Sequence, residues 1–102
     1  MIVAYHDGEP VACGAFKRFD ETHVELKRVY VDPSNRHMGL GAEVIRRLEA
    51  KARISGYRWC ILETGRLLEA AHTMYKKAGY QIIPNYGQYA EMEDSICMEH
   101  KI

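Results

Sequence analysis

Two glycines two residues apart, Gly39 and Gly41, constrain this chain more than any other feature. They lie between a β-like run ending at Val31 and a helix-like run from about Leu40 to Ser55, with Asp32-Pro33-Ser34-Asn35 turning the chain between them. Arg36-His37-Met38-Gly39-Leu40-Gly41-Ala42 is therefore a loop that opens a helix. Glycine has no Cβ to block a ligand from the backbone. The first N–H groups of a helix lack intrahelical acceptors and sit at the positive end of its dipole. Such an end suits a phosphate or pyrophosphate, and Arg36 adds a charged donor at its mouth. The glycines alone also fit an ordinary glycine-rich entry into a helix.

The spacing excludes two common phosphate loops. A P-loop needs Gly-Lys-Ser/Thr, whereas Gly41 is followed by Ala42 and Glu43. A dinucleotide fingerprint needs a third small residue where Val44 stands, and it should follow the first strand of a parallel unit. The strands here look antiparallel.

Composition narrows the class further. A chain of 102 residues is one domain, able to bury roughly 65% of its unfolded surface. A formal net charge of zero gives no bulk attraction to nucleic acid or anionic membrane. No apolar run approaches the ~20 residues of a membrane helix, and the N-terminus lacks the pattern of a signal peptide. Cys13, Cys60 and Cys97 form an odd set without a Cys-x-x-Cys pair, expected to be reduced, mostly buried thiols of a cytoplasmic protein. The five histidines and three cysteines have no metal-ligand spacing, so no metal is expected.

Taken in order, residues 1–6 are expected as a strand, Asp7-Gly8 as a hairpin turn, and residues 9–16 as the returning strand. Pro10 suggests an edge or a bulge there. Residues 23–31 form a third strand. An unbroken pleat places Val24, Leu26, Arg28 and Tyr30 on one face and Glu25, Lys27, Val29 and Val31 on the other. The first helix has the apolar stripe Val44, Ile45, Leu48 and Ala52. Its charged residues, Glu49 among them, are expected in water, with Glu43–Arg47 and Glu49–Arg53 pairs worth ~0.3 kcal/mol each. Acidic residues interleave its basic ones, as on a solvated face rather than a nucleic-acid patch. Residues 57–63 are a central strand covered on both faces. Residues 67–78 are a second helix with Leu68, Ala71, Tyr75 and Ala78 in a stripe, closed by Gly79. A strand starts at Tyr80, a loop carries Tyr86 and Tyr89, and residues 95–101 are the last strand. The order β-β-β-α-β-α-β-β gives an α/β (α+β) domain: a mixed, mostly antiparallel sheet with two helices.

Four segments in this order carry a resemblance. They are Glu25-Leu-Lys-Arg-Val-Tyr-Val-Asp-Pro33, Arg36-x-x-Gly39-x-Gly41-Ala42, Ile61-Leu-Glu-Thr64 and Ala71-x-x-x-Tyr75-x-Lys77-x-Gly79-Tyr80. Together they resemble the core of the GNAT superfamily of N-acetyltransferases, with its acyl-CoA N-acyltransferase-like fold. Tyr86-Gly-Gln-Tyr89 and Ser95-Ile-Cys-Met-Glu99 further resemble a common group of bacterial members. Two departures stand out. The strand and two helices that usually precede the first strand seen here, and help wall the acceptor site, are not in this sequence. The second helix also lacks the Asn that often begins it.

The resemblance implies acetyl transfer from acetyl-CoA to a primary amine, or a non-catalytic acetyl-CoA-binding module if the acceptor wall is incomplete. It implies a thioester held by the splayed backbone of Val29, Tyr30 and Val31. Coenzyme contacts are implied for Arg36, His37, Met38, Gly39, Leu40, Gly41, Ala42, Thr64, Ala71, Tyr75 and Lys77. Tyr75 matches the Tyr that protonates the leaving thiolate; as a residue of the helix stripe it also fits a core aromatic. Glu25 matches a general-base position in some members. Lys27 on the same face would favour its ionised form, and a surface Glu–Lys pair is the other reading. Glu63 is an alternative base. Tyr86 and Tyr89 either line the acceptor site or anchor their loop. His72 is expected to face solvent. A homodimer is expected to cover the first two strands, with no nucleic-acid or membrane partner.

Overall fold

The computed structural model describes residues 1–34 and 39–102. The elements are β1 (Ile2–His6), β2 (Glu9–Arg18), β3 (His23–Val31), α1 (Leu40–Ile54), β4 (Trp59–Gly65), α2 (Glu69–Lys77), β5 (Gln81–Ile83) and β6 (Ser95–Lys101). They form one six-stranded sheet in the order β1-β2-β3-β4-β6-β5. Among the described residues only β3 and β4 run parallel, so the mixed sheet matches the expected architecture. Asp7 at φ 50° and Gly8 at φ 82° make the left-handed two-residue turn of the β1–β2 hairpin. Pro10 sits opposite Tyr5, where the register shifts, so its missing N–H falls at a bulge.

Helix α1 lays Val44, Ile45, Leu48 and Ala52 on the sheet, all essentially sealed from solvent. They meet Val24 and Leu26 of β3, Cys60 and Leu62 of β4, and Met98 of β6. Fully burying each large aliphatic side chain stabilises the fold by about 2 kcal/mol. Tyr75 of α2 joins the same cluster, so both helices cover one face. After α2 the Tyr80 N–H reaches back to Tyr75 O at 3.0 Å and the Gly79 N–H to Lys76 O at 3.0 Å. This Schellman closure packs the Tyr80 ring edge-on against Tyr75.

Three expectations about the helices are corrected. Glu49 is buried rather than in water, and its Oε2 accepts a 2.8 Å hydrogen bond from the Tyr80 hydroxyl. Arg53 donates to Ile102 O instead of pairing with Glu49. The Glu43–Arg47 pair does form. Leu68 lies outside the buried stripe, at the N-cap of α2, and is mostly exposed. Among the described residues, no helix is long and apolar enough to cross a membrane.

Candidate active site

The site begins with a correction to the pleat of β3. Between the Cys13–Tyr30 and Ala15–Lys27 pairs, β2 advances two residues while β3 advances three. The extra residue is a β-bulge at Arg28, whose φ is 57° and whose carbonyl faces the Cys13 thiol at 3.6 Å. The bulge exchanges faces. Val29 and Val31 join Val24 and Leu26 against the helix-side core, while Tyr30 is turned out beside Glu25 and Lys27 on the opposite face. Alternation counted straight through Arg28 gives the wrong side for the last three residues.

Bulges bend and twist the strand that carries them. Here β3 pairs with β4 through His23–Trp59, Val24–Cys60 and Glu25–Ile61 and no further. β3 stays joined to β2, and β4 to β6, as far as their ends. The two strands therefore part, leaving a wedge-shaped opening between their C-terminal halves.

The helix side of the opening carries most of the residues expected to hold a coenzyme. Gly39, at φ 71°, is the N-cap of α1 and has no side-chain cap. The N–H groups of Leu40, Gly41 and Ala42 begin the helix without intrahelical acceptors; the first intrahelical bond runs from Glu43 N to Gly39 O at 3.1 Å. Arg36, His37 and Met38 lie outside the described residues. Gly41 is buried, and a Cβ added there would come 2.5 Å from Met74 Sδ and 3.4 Å from Val31 Cγ2. Its lack of a side chain thus admits the neighbouring helix. A groove of about 360 Å³ runs between the helices, lined by Ala42, Arg46, Glu49, Met74, Lys77 and Ala78. Thr64 is buried at the end of β4, and Ala71 packs on the core one turn before Tyr75.

Tyr75 is 7% exposed. Burial raises its pKa above the ordinary phenol value and so keeps the hydroxyl protonated.

The opposite side of the opening is polar and aromatic. Glu25, on the last β3–β4 rung, is 4% exposed, so it is no surface residue. The Tyr86 hydroxyl donates to its Oε2 at 2.7 Å. Lys27 Nζ lies 3.2 Å and Lys17 Nζ 3.7 Å from its Oε1. Lys27 also donates to the Tyr89 hydroxyl at 3.0 Å and lies over that ring, 5.5 Å from its centroid. Its pKa is raised, chiefly by the Tyr89 bond and then by Glu25. Burial, with Glu25 beside it, lifts Tyr86 well above the usual phenol range. Phe19 and Tyr89 pack edge-on against Tyr86. The loop after β5 is thus tied down over Glu25. Glu63, on the same face, accepts a 2.8 Å bond from Ser95 Oγ.

His72 is half-buried rather than solvent-facing, with Nε2 2.8 Å from Gly65 O, and so links α2 to the end of β4. Met74 also lines the site beside Gly41, and its i+3 spacing from Ala71 is its sign in the sequence.

Comparisons with known proteins agree with this geometry. Residues 1–82 match the model of the acetyltransferase (GNAT) domain family. The chain is 30% identical over 101 residues to the uncharacterized N-acetyltransferase YsnE of Bacillus subtilis, spanning 97% of this chain and 67% of that protein. It is 32% identical over 100 residues to an IAA acetyltransferase of Azospirillum brasilense, spanning 97% and 65%. A structure from Klebsiella pneumoniae, described as a candidate acyl-CoA N-acyltransferase, superposes with a TM-score of 0.87 at 39% identity, spanning 92% and 65%. A GNAT-family acetyltransferase of Elizabethkingia anophelis, solved with acetyl-CoA bound, shares the fold at 19% identity, with a TM-score of 0.83 and coverage of 98% and 74%. The chain spans about two thirds of the length of the first three of these relatives. The family model covers residues 1–82 and takes in β3, the bulge, the start of α1 and Tyr75, and on that match this chain belongs to the GNAT acetyltransferases.

Proposed function

We propose that the chain transfers the acetyl group of acetyl-CoA to a primary amine. The parting of β3 from β4 beyond the Glu25–Ile61 rung carries this reading. It is where groups prepared on opposite faces of the sheet can act on one carbonyl. On the helix side, the uncapped start of α1 would receive the pyrophosphate. The backbone of β3 from Val29 to Val31 would hold the thioester, and an N–H there would polarise its carbonyl. On the opposite side the amine loses its proton, with Glu25 as the base. The new N–C bond forms, the C–S bond breaks, and the leaving thiolate takes the Tyr75 hydroxyl proton.

One observation favours a second reading, a coenzyme-binding module without catalysis: the Glu25 carboxylate is already held by Lys27, Lys17 and Tyr86. The deciding experiment titrates acetyl-CoA calorimetrically and measures thiol release over a panel of primary amines on the same sample. Binding with amine-dependent release is expected. Binding without release selects the module, and absence of binding sinks both readings.

The reading includes a homodimer. Val3, Tyr5 and Tyr30 are exposed on the face opposite the helices, an apolar area that a second copy would cover. Light scattering at micromolar concentration should give twice the chain mass; a monomer without concentration dependence removes this element. It also includes a cytoplasmic location, in keeping with three free thiols, two of them buried.

A further inference from the structure

Three elements meet at Gly41. The first turn of α1 passes between the end of β3, at Val31, and α2, at Met74. The Met74 Sδ lies 2.5 Å from where a β-carbon on Gly41 would stand, so the two helices approach there through a sulfur atom. Away from this contact they stand apart around the groove lined by Arg46, Glu49 and Lys77. Met74 immediately precedes Tyr75, and α2 has no side-chain cap at its start. This contact, the Tyr75 ring and, beyond the helix end, the Tyr80–Glu49 hydrogen bond tie that part of α2 to α1.

We propose that Met74 is a positioning residue for acetyl transfer: its thioether sets the distance between the first turn of α1, at Gly41, and the turn of α2 that presents the Tyr75 hydroxyl. The inference rests on the acetyltransferase reading. A flexible side chain of this volume suits the role, because it conforms to the backbone surface at Gly41. The consequence is a coupling: an error in the spacing at Gly41 would appear both in the grip on the coenzyme and in the placing of the acid.

A double-mutant cycle tests it, using wild type, Gly41→Ala, Met74→Ala and the double variant. Each is titrated with acetyl-CoA, assayed for amine-dependent thiol release, and melted. Gly41→Ala drives a methyl into the sulfur and should weaken acetyl-CoA binding about tenfold, the size of a modest overpacking penalty. Removing the thioether makes room. The double variant should therefore bind within about threefold of Met74→Ala, a non-additive result expected only of touching residues. Met74→Ala alone should lower kcat about tenfold with a smaller change in KM, since it frees the turn that carries the acid without touching the substrate. Met74→Leu, which keeps the volume, should recover most of that loss.

Additive losses around the cycle overturn the proposal. So does a Met74→Ala protein that melts earlier yet keeps its kcat and KM, because a purely structural residue behaves that way. Should Gly41→Ala fail to fold, the comparison of Met74→Ala with Met74→Leu decides alone. A wild-type protein that binds no acetyl-CoA overturns the acetyltransferase reading together with this one, whereas normal binding with an additive cycle overturns this one only.

Discussion

The two faces of the sheet hold their groups in different ways. The helix-bearing face is an apolar core, with Val44, Ile45, Leu48 and Ala52 packed onto Val24, Leu26, Cys60, Leu62 and Met98. The opposite face carries one deeply buried carboxylate, two lysines and a set of rings, held by hydrogen bonds between a strand and a loop. The first arrangement tolerates few changes of volume, because interiors are close-packed. The second tolerates few changes of charge, because buried ionic groups depend on their partners. Coenzyme chemistry placed on the first and amine chemistry on the second can meet where β3 leaves β4.

The largest expected effect breaks the apolar side. Leu48→Ala, at 1% exposure, should lower unfolding stability by about 2–5 kcal/mol through lost burial and a residual cavity. Denaturant unfolding checks it. A loss below about 1 kcal/mol would mean that α1 is not seated as described.

Next comes the chemistry on that side. Tyr75→Phe keeps the ring and removes the hydroxyl. If the hydroxyl protonates the leaving thiolate, kcat should fall ~10²-fold with acetyl-CoA affinity little changed. The raised pKa fixes the sign of the pH dependence. The acid form persists at neutral pH and is lost only as pH rises through the raised phenol value. A high-pH decline in wild type that Tyr75→Phe abolishes supports the role, and an unchanged kcat returns Tyr75 to packing alone.

The helix face was also the legible one. A 3.6-residue period names Val44, Ile45, Leu48 and Ala52 without knowledge of their partners, and Asp7-Gly8 names its turn by local conformation. What escaped the sequence depends on contacts remote along the chain. The bulge at Arg28 arises from pairing with β2, so counting by twos put Val29 and Val31 on the wrong face. Glu49 lies beside the α1 stripe and was assigned to water; a hydroxyl 31 residues away satisfies it inside. The sequence places Glu25 and Lys27 on one strand face, which fits a surface pair, but the loop bearing Tyr86 closes over the carboxylate. The spacing of Gly41 points to an approach for a ligand, and in the fold a sulfur on α2 lies against the same gap. The order of elements follows from local pattern. The placing of polar groups follows from topology.

Two substitutions on the opposite face separate its chemistry from its architecture. Glu25→Gln keeps the shape and removes the charge. If Glu25 is the base, kcat/KM for the amine should fall ~10²-fold or more, with acetyl-CoA affinity intact. Tyr86→Phe removes one hydrogen bond to the carboxylate and should cost about 1.5–3 kcal/mol of stability. Equal and small effects of both on turnover would make the cluster a loop anchor and favour the binding-module reading.

The smallest expected effect returns to the apolar side. Cys60 is fully buried, and desolvation pushes its thiol from 9.0 to about 11, with the Tyr80 hydroxyl bond opposing the rise. A folded-state pKa above the unfolded one means that the unfolded thiol ionises first. Its contribution to stability is therefore whole below pH ~9 and is lost as pH rises toward ~11. Tyr75 and Tyr80 are raised from 10.0 by burial in the same direction, so their share of the alkaline loss begins higher. Cys97 is also raised from 9.0 by burial, so the window between pH ~9 and ~10 is where the two thiols act ahead of the phenols. Wild-type stability should decline there, and Cys60→Val, which keeps only the Cys97 share, should decline less until the phenols take over. Denaturant unfolding at half-unit pH steps measures the difference. Parallel slopes for the two proteins would mean that water reaches the β4 thiol, and that the apolar face is less sealed than the opposite one is polar.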